Sequence, residues 1–249
     1  MAGMLYLVPT PIGNLGDISQ RCRETLENAD FIAAEDTRVS LKLLNHLGIK
    51  KSLVSYYEHN KAFKGDKIVE RILAGETCAL VSDAGSPAIS DPGEDLVKQC
   101  AAAGITVCAI PGPCAAITAL SISGQATGRF CFEGFLSTAK KSRKEHLESL
   151  KKEQRTMIFY EAPHKLVSTL EDLAEAFGQD RGISLCRELT KLHEEVVRTT
   201  LGEAVVKYTE NLPKGEFVLI VAGAPAEEKE VASETDAAAR VSQLMAEGL

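Results

Sequence analysis

The sequence predicts an α/β fold of two units, the first built on a mainly parallel sheet. Three observations lead there. Short apolar runs alternate with segments whose apolar residues recur every three or four positions, the rhythm of strands linked by helices. Residues 99–128 carry no charge, as expected of a strand and helix buried on both sides. Near residue 125 the rhythm breaks at "GQATGR", a polar, glycine-bearing link of the kind that separates units.

Taken in order, the first unit (1–125) contains the apolar runs "LYLV" (5–8), "DFIAA" (30–34), "SLVSY" (52–56), "TCALVS" (77–82) and "ITVCAI" (105–110). Helical patterns such as "DISQRCRETLENA" and "DTRVSLKLLNHLG" lie between them. The second unit (126–224) offers "RFCFEGF", a basic helix over about 139–154, "TMIFYE", a helix over about 164–177, "GISLCRE", "VVRTTL", a helix over about 202–211 and "EFVLIVAG". No internal repeat is visible. The uncharged run is no membrane span, because Pro111, Gly112 and Pro113 interrupt it.

The formal charge of -7 over 249 residues argues against a generally basic surface. The segment 225–249 holds six acids against Lys229 and Arg240, which predicts a mobile acidic tail. Seven cysteines, odd in number and without CxxC spacing, predict free thiols and a reducing, cytoplasmic location. The start "MAGMLYLVPTPIG" lacks the basic n-region of a secretory leader. No His/Cys spacing predicts a metal site.

Three strands of the first unit run into unusual loops: "PTPIGNLGD" (9–17), "SDAGSPAISDPG" (82–93) and "PGPCAA" (111–116). In open α/β sheets ligands sit beyond the carboxyl ends of the strands. Glycine lets the backbone approach a ligand and proline fixes the loop in advance. No G-x-x-x-x-G-K-[ST] and no G-x-G-x-x-G is present, which argues against P-loop and dinucleotide sites. Backbone amides and carbonyls, with an Asp nearby and no cation, suit a ligand of low negative charge such as S-adenosyl-L-methionine.

The runs "LYLVPTPIGNLGD", "AAEDTR" (33–38), "LVSDAGSPAISDPG", "IPGPCAAITALSISG" (110–124), "FYEAPHKL" (159–166) and "CRELTKLHEE" (186–195) resemble the signature segments of the ribosomal RNA small-subunit methyltransferase I family, within the tetrapyrrole-methylase superfamily. The resemblance covers about residues 4–223. It implies two α/β domains of tetrapyrrole-methylase type, with a mixed sheet in the second. It further implies a homodimer, and S-adenosyl-L-methionine held in the cleft between domains. The implied activity is methylation of the ribose 2′-hydroxyl of a cytidine in small-subunit ribosomal RNA. The cofactor contacts it implies are Ile12, Ser86 and Ile89, then Cys114 and Ala115, then Tyr160 and Leu189. Ser86 stands where the superfamily has Asp, and Asp83 is the compensating carboxylate. Two rival expectations are a methylase of small tetrapyrrole-like acids and a non-catalytic cofactor-binding scaffold.

A ribose hydroxyl is a poor nucleophile, and a positioned base speeds such a step by about 10²–10⁴-fold. Glu161, Asp36 and Glu35 are the leading candidates, with Asp83 a further one and His164 at a helix start as a structural or catalytic alternative. Asp36 also stands where a cap for "TRVSLKLL" is needed. Between Thr138 and Arg155 seven Lys/Arg face three Glu, which by itself reads as a solvated helix face; with the resemblance, Lys140, Lys141, Arg143 and Lys144, together with Arg38, are the expected phosphate contacts. No RNA-binding signature such as an RRM appears, so folded shape in the assembled ribosomal particle is the expected recognition feature.

Overall fold

The computed structural model describes residues 3–211 and 214–225; the predicted acidic tail from 226 onward lies outside them. The first sheet is formed by β1 (Met4–Leu7), β2 (Phe31–Ala34), β3 (Ser52–Ser55), β4 (Cys78–Val81) and β5 (Thr106–Ala109). All its pairings are parallel, in the order β3-β2-β4-β1-β5. The helices α1 (Gln20–Asn28), α2 (Thr37–Leu47), α3 (Lys61–Leu73) and α4 (Gly93–Ala102) connect its strands.

Alternation along β2 shows why the runs are continuously apolar. Ile32 and Ala34 pack with Leu26 of α1 and Leu44 of α2, while Phe31 and Ala33 pack with Ile68 of α3 and Leu96 of α4. Both faces of the sheet are covered, so neither admits a polar residue at every second position.

The second sheet comprises β6 (Phe130–Phe135), β7 (Thr156–Glu161), β8 (Gly182–Arg187), β9 (Glu195–Thr200) and β10 (Phe217–Val221). Its order is β6-β7-β10-β8-β9. Only β6–β7 is parallel, so the sheet is mixed. The helices α6 (Lys140–Ser149), α7 (Leu166–Phe177) and α8 (Leu201–Glu210) cover one face, with Leu170, Leu173 and Leu201 fully buried against Phe159, Leu185 and Leu219. The basic helix is shorter than expected and ends at Ser149.

The other face receives α5 (Ala115–Ser123), a helix that follows β5 of the first sheet. Its Ala116, Ala119 and Leu120 pack with Ile158, Cys186, Val218 and Ile220. A boundary drawn near residue 125 therefore falls after a helix that already belongs to the second sheet's core.

The uncharged run 99–128 becomes the end of α4, β5 and α5. Among the described residues, no helix is long and apolar enough to cross a membrane. All seven cysteines are free thiols. Burial pushes the Cys78 thiol up to about 12 and Cys100 up to about 11, which leaves both inert.

Candidate active site at the cleft between the sheets

Strand order explains the convergence of the three loops. β4, β1 and β5 are neighbours, so the loops that leave their carboxyl ends meet over one edge. Reciprocal bonds tie the first two: the Thr10 amide donates to Gly85 O at 2.9 Å, and the Gly85 amide to Thr10 O at 3.0 Å. The Ser86 hydroxyl then donates to Pro113 O at 2.9 Å, joining the second loop to the third. Gly85 has φ +80, a conformation open to glycine at little cost. A β-carbon there would stand 3.2 Å from Ile12 Cγ2.

The opposite wall comes from the second sheet. β7 and β8 run toward the cleft and β10, antiparallel between them, begins there. Tyr160 ends this network: its hydroxyl accepts the Ala116 amide of α5 at 3.1 Å. A β-bulge between Phe132 and Gly134 shifts the register of β6 on β7, with Gly134 at φ +62. The extra residue turns Phe135 to the same face as Phe132. Both rings then meet Tyr160 edge-on, at 5.1 and 5.5 Å.

Between these walls lies a cavity of about 470 Å³, within the range of small-molecule and cofactor sites. Ile12, Asp83, Ser86, Ile89, Cys114, Ala115, Tyr160 and Leu189 all line it, as do Glu35 and Glu161. Ile89 and Leu189, one from each wall, are both flanked by residues held at positive φ: Ala88 and Ser90, Glu188 and Thr190. Each such non-glycine residue stores about 1–3 kcal/mol of strain that the surroundings must offset. Sequence inspection missed Asp91, Phe135 and Phe217, which also line the cavity. Asp91 stood inside the quoted loop, whereas Phe135 depends on a bulge that no local pattern announced.

The acids divide by environment. Burial, then the nearby carboxylates of Asp83 and Asp91, raise the proton affinity of Glu35 above its ordinary value. Asp36 is the opposite. It caps α2, accepting the Arg38 amide at 2.8 Å, and grips the Arg38 guanidinium. Those bonds hold its carboxyl down at about 2. Asp36 does not line the cavity, and Arg38 points to solvent while paired to it; the structure shows this pair as a capped helix start beside the cleft.

Glu161 is 5% exposed, and both its oxygens are engaged: the Ala162 amide donates to one at 2.8 Å and the Thr169 hydroxyl to the other at 2.5 Å. The Thr169 oxygen in turn accepts from Arg143 at 2.8 Å, whose Nε pairs with Asp172 at 2.5 Å. Arg143 therefore faces inward, unlike the solvent-facing phosphate contact expected of it. Its phase on α6 accounts for this, since Leu147 and Leu150, four and seven residues on, are buried. His164 is exposed in the 3-10 turn Pro163–Lys165. Among the described residues, no group of three or more His, Cys, Asp or Glu is placed to hold a metal ion.

The cleft between Gly/Pro loops of a parallel sheet and the end of a mixed sheet goes with one class of protein, the tetrapyrrole methylases. The chain belongs to the tetrapyrrole (corrin/porphyrin) methylase family, whose model matches residues 4–205. Within that class it is 51% identical over 247 residues to the ribosomal RNA small subunit methyltransferase I of Synechocystis sp., covering 99% of this chain and 88% of that one. It is 54% identical over 221 residues to the protein of the same name from Halalkalibacterium halodurans, covering 89% and 76%. Among solved structures, a uroporphyrin-III C-methyl transferase from Thermus thermophilus complexed with S-adenyl homocysteine shares the fold at a TM-score of 0.62 and 15% identity, covering 88% of this chain and 97% of that one.

Proposed function

We propose that this chain is an S-adenosyl-L-methionine-dependent methyltransferase acting on the ribose 2′-hydroxyl of a cytidine in small-subunit ribosomal RNA, within the assembled particle and in the cytoplasm. The observation that carries it is the meeting of all eight expected cofactor positions in one cavity in a chain about half identical to rRNA methyltransferases. The residues fit the donor. Ile12, Ile89 and Leu189 offer an apolar slot for the adenosine, and Asp83, Asp91 and Glu35 offer negative charge to a sulfonium.

The bound donor supplies a methyl group on a positively charged sulfur, ready for in-line displacement. The chain's own task is alignment, which contributes roughly 7–11 kcal/mol to lowering such barriers. As the new C–O bond forms and the S–C bond breaks, the hydroxyl proton must leave. Glu35 suits that task, because its raised proton affinity brings it nearer the range of an effective base. Asp36, held near 2 by Arg38, is too weak a base. Glu161 acts as a fixed wall, with both oxygens already bonded. A small polycarboxylate acid would meet Glu35, Asp83 and Asp91 as like charges, which disfavours the tetrapyrrole-like substrate.

The decisive experiment incubates isolated small subunits with methyl-labelled S-adenosyl-L-methionine. Label in a cytidine ribose is expected, and Glu35→Gln should lower the rate about 10²–10⁴-fold while still binding donor. Label in a small acid, or tight binding without turnover, would overturn the assignment. A homodimer belongs to the same proposal: Phe130 and Phe132 lie exposed on edge strand β6, and light scattering at twice 26.8 kDa is the expected result.

A further inference from the structure

Beside the cleft, α6 and one side of α7 enclose a second concavity of about 690 Å³. Lys140, Arg143, Lys144, Lys151 and Lys165 line it against three carboxylates, Glu148, Asp172 and Glu175. Two of those carboxylates are consumed internally, Asp172 by Arg143 at 2.5 Å and Glu148 by Lys151 at 2.7 Å. Lys140, Lys144 and Lys165 have no ion-pair partner among the described residues and oppose only Glu175. This positive excess stands in a chain of net charge -7. At the same end, no side chain caps α6, and the hydroxyl residues Ser137 and Thr138 complete the rim.

The groove and the cleft share a wall. Pro163 lines the cleft and Lys165 the groove, within one 3-10 turn. Arg143 on the groove side and Glu161 on the cleft side bond to the same Thr169 hydroxyl. The groove thus opens next to the point where a sugar in the cleft would have its neighbouring phosphates.

We infer that the groove between α6 and α7 is the track for the phosphodiester backbone of the RNA substrate, held by Lys140, Lys144 and Lys165; this rests on the proposed function. It replaces the set expected from the basic run. Lys141 points away from the groove, 89% exposed and nearest Glu145 at 3.9 Å. Arg143 serves the floor, and Lys165 lay outside that run altogether.

The test measures affinity of the full chain for a mixed-sequence single-stranded RNA of about 20 nucleotides at several salt concentrations. Each phosphate contact contributes about 0.7 to the slope of log K against log salt. The triple variant Lys140→Ala, Lys144→Ala, Lys165→Ala should flatten that slope by about 2, with donor affinity by calorimetry unchanged. Lys98→Ala, an exposed lysine of α4 paired to Glu94, should leave it as it is. Should the triple variant lose donor affinity, Lys140→Ala alone serves, with a slope flatter by about 0.7. An unchanged slope in a protein that methylates normally would overturn the groove and leave the function standing. A flattened slope in a protein whose parent puts no label into RNA would do the reverse.

Discussion

Gly85→Ala probes the point where two cleft loops are tied together. The substitution forces a β-carbon onto a residue at φ +80, which costs about 1–2 kcal/mol for an L-residue. The new methyl also lies 3.2 Å from Ile12 Cγ2 and 3.6 Å from Pro113 O, so Ile12 must shift by a few tenths of an ångström. If the loop relaxes instead, the two Thr10–Gly85 bonds at 2.9 and 3.0 Å are weakened, each worth about 1 kcal/mol. Destabilisation of about 1–2 kcal/mol is expected, or roughly 3–6 °C in Tm for a chain of this size. Ile12 lines the cavity, so donor affinity should fall about tenfold, equivalent to about 1.4 kcal/mol. Gly85→Val should lose binding outright while remaining folded. Calorimetry of S-adenosyl-L-methionine binding beside a thermal melt reads both effects. An alanine variant with parental affinity and a Tm within about 1 °C would refute the assignment of this loop to the donor site.

Two further outcomes concern charge and polar contacts. The native chain holds the Glu35 proton more tightly than the unfolded chain does, so this group's contribution is most favourable below its ordinary value of 4.5 and falls as pH rises through the raised folded value. Glu35→Gln should therefore melt above the parent at pH 7 and together with it below pH 4. Over the same window, parental affinity for S-adenosyl-L-methionine should rise relative to S-adenosylhomocysteine, which lacks the sulfonium charge; a constant ratio by calorimetry would contradict the acidic lining's role. Tyr160→Phe removes the acceptor of the Ala116 amide and should cost about 1–2 kcal/mol, seen in a melt as roughly 3–6 °C.

Much of the architecture was legible because β2 and β4 are buried on both faces, so their whole length had to be apolar. The Gly/Pro loops were equally plain, since their backbone demands select those residues. The adjacency of β4, β1 and β5 was not readable, because it depends on pairings across more than 70 residues. Nor was the Asp36–Arg38 pair, where two residues that each looked functional neutralise one another. Arg143 is different: its spacing from Leu147 and Leu150 carried the information, and its position within a run of lysines obscured it.

The packing of α5 has a mechanical implication. Its start is fixed by the loop after β5 and its length is glued to the other sheet, so it acts as a strut, not a tether. Hinged opening of the two halves would have to strip Ala119 and Leu120 from Ile158 and Ile220. Exchange of spent for fresh donor is then expected to proceed with the two sheets held in place, and a fragment severed after residue 125 would carry away an orphaned apolar helix prone to self-association.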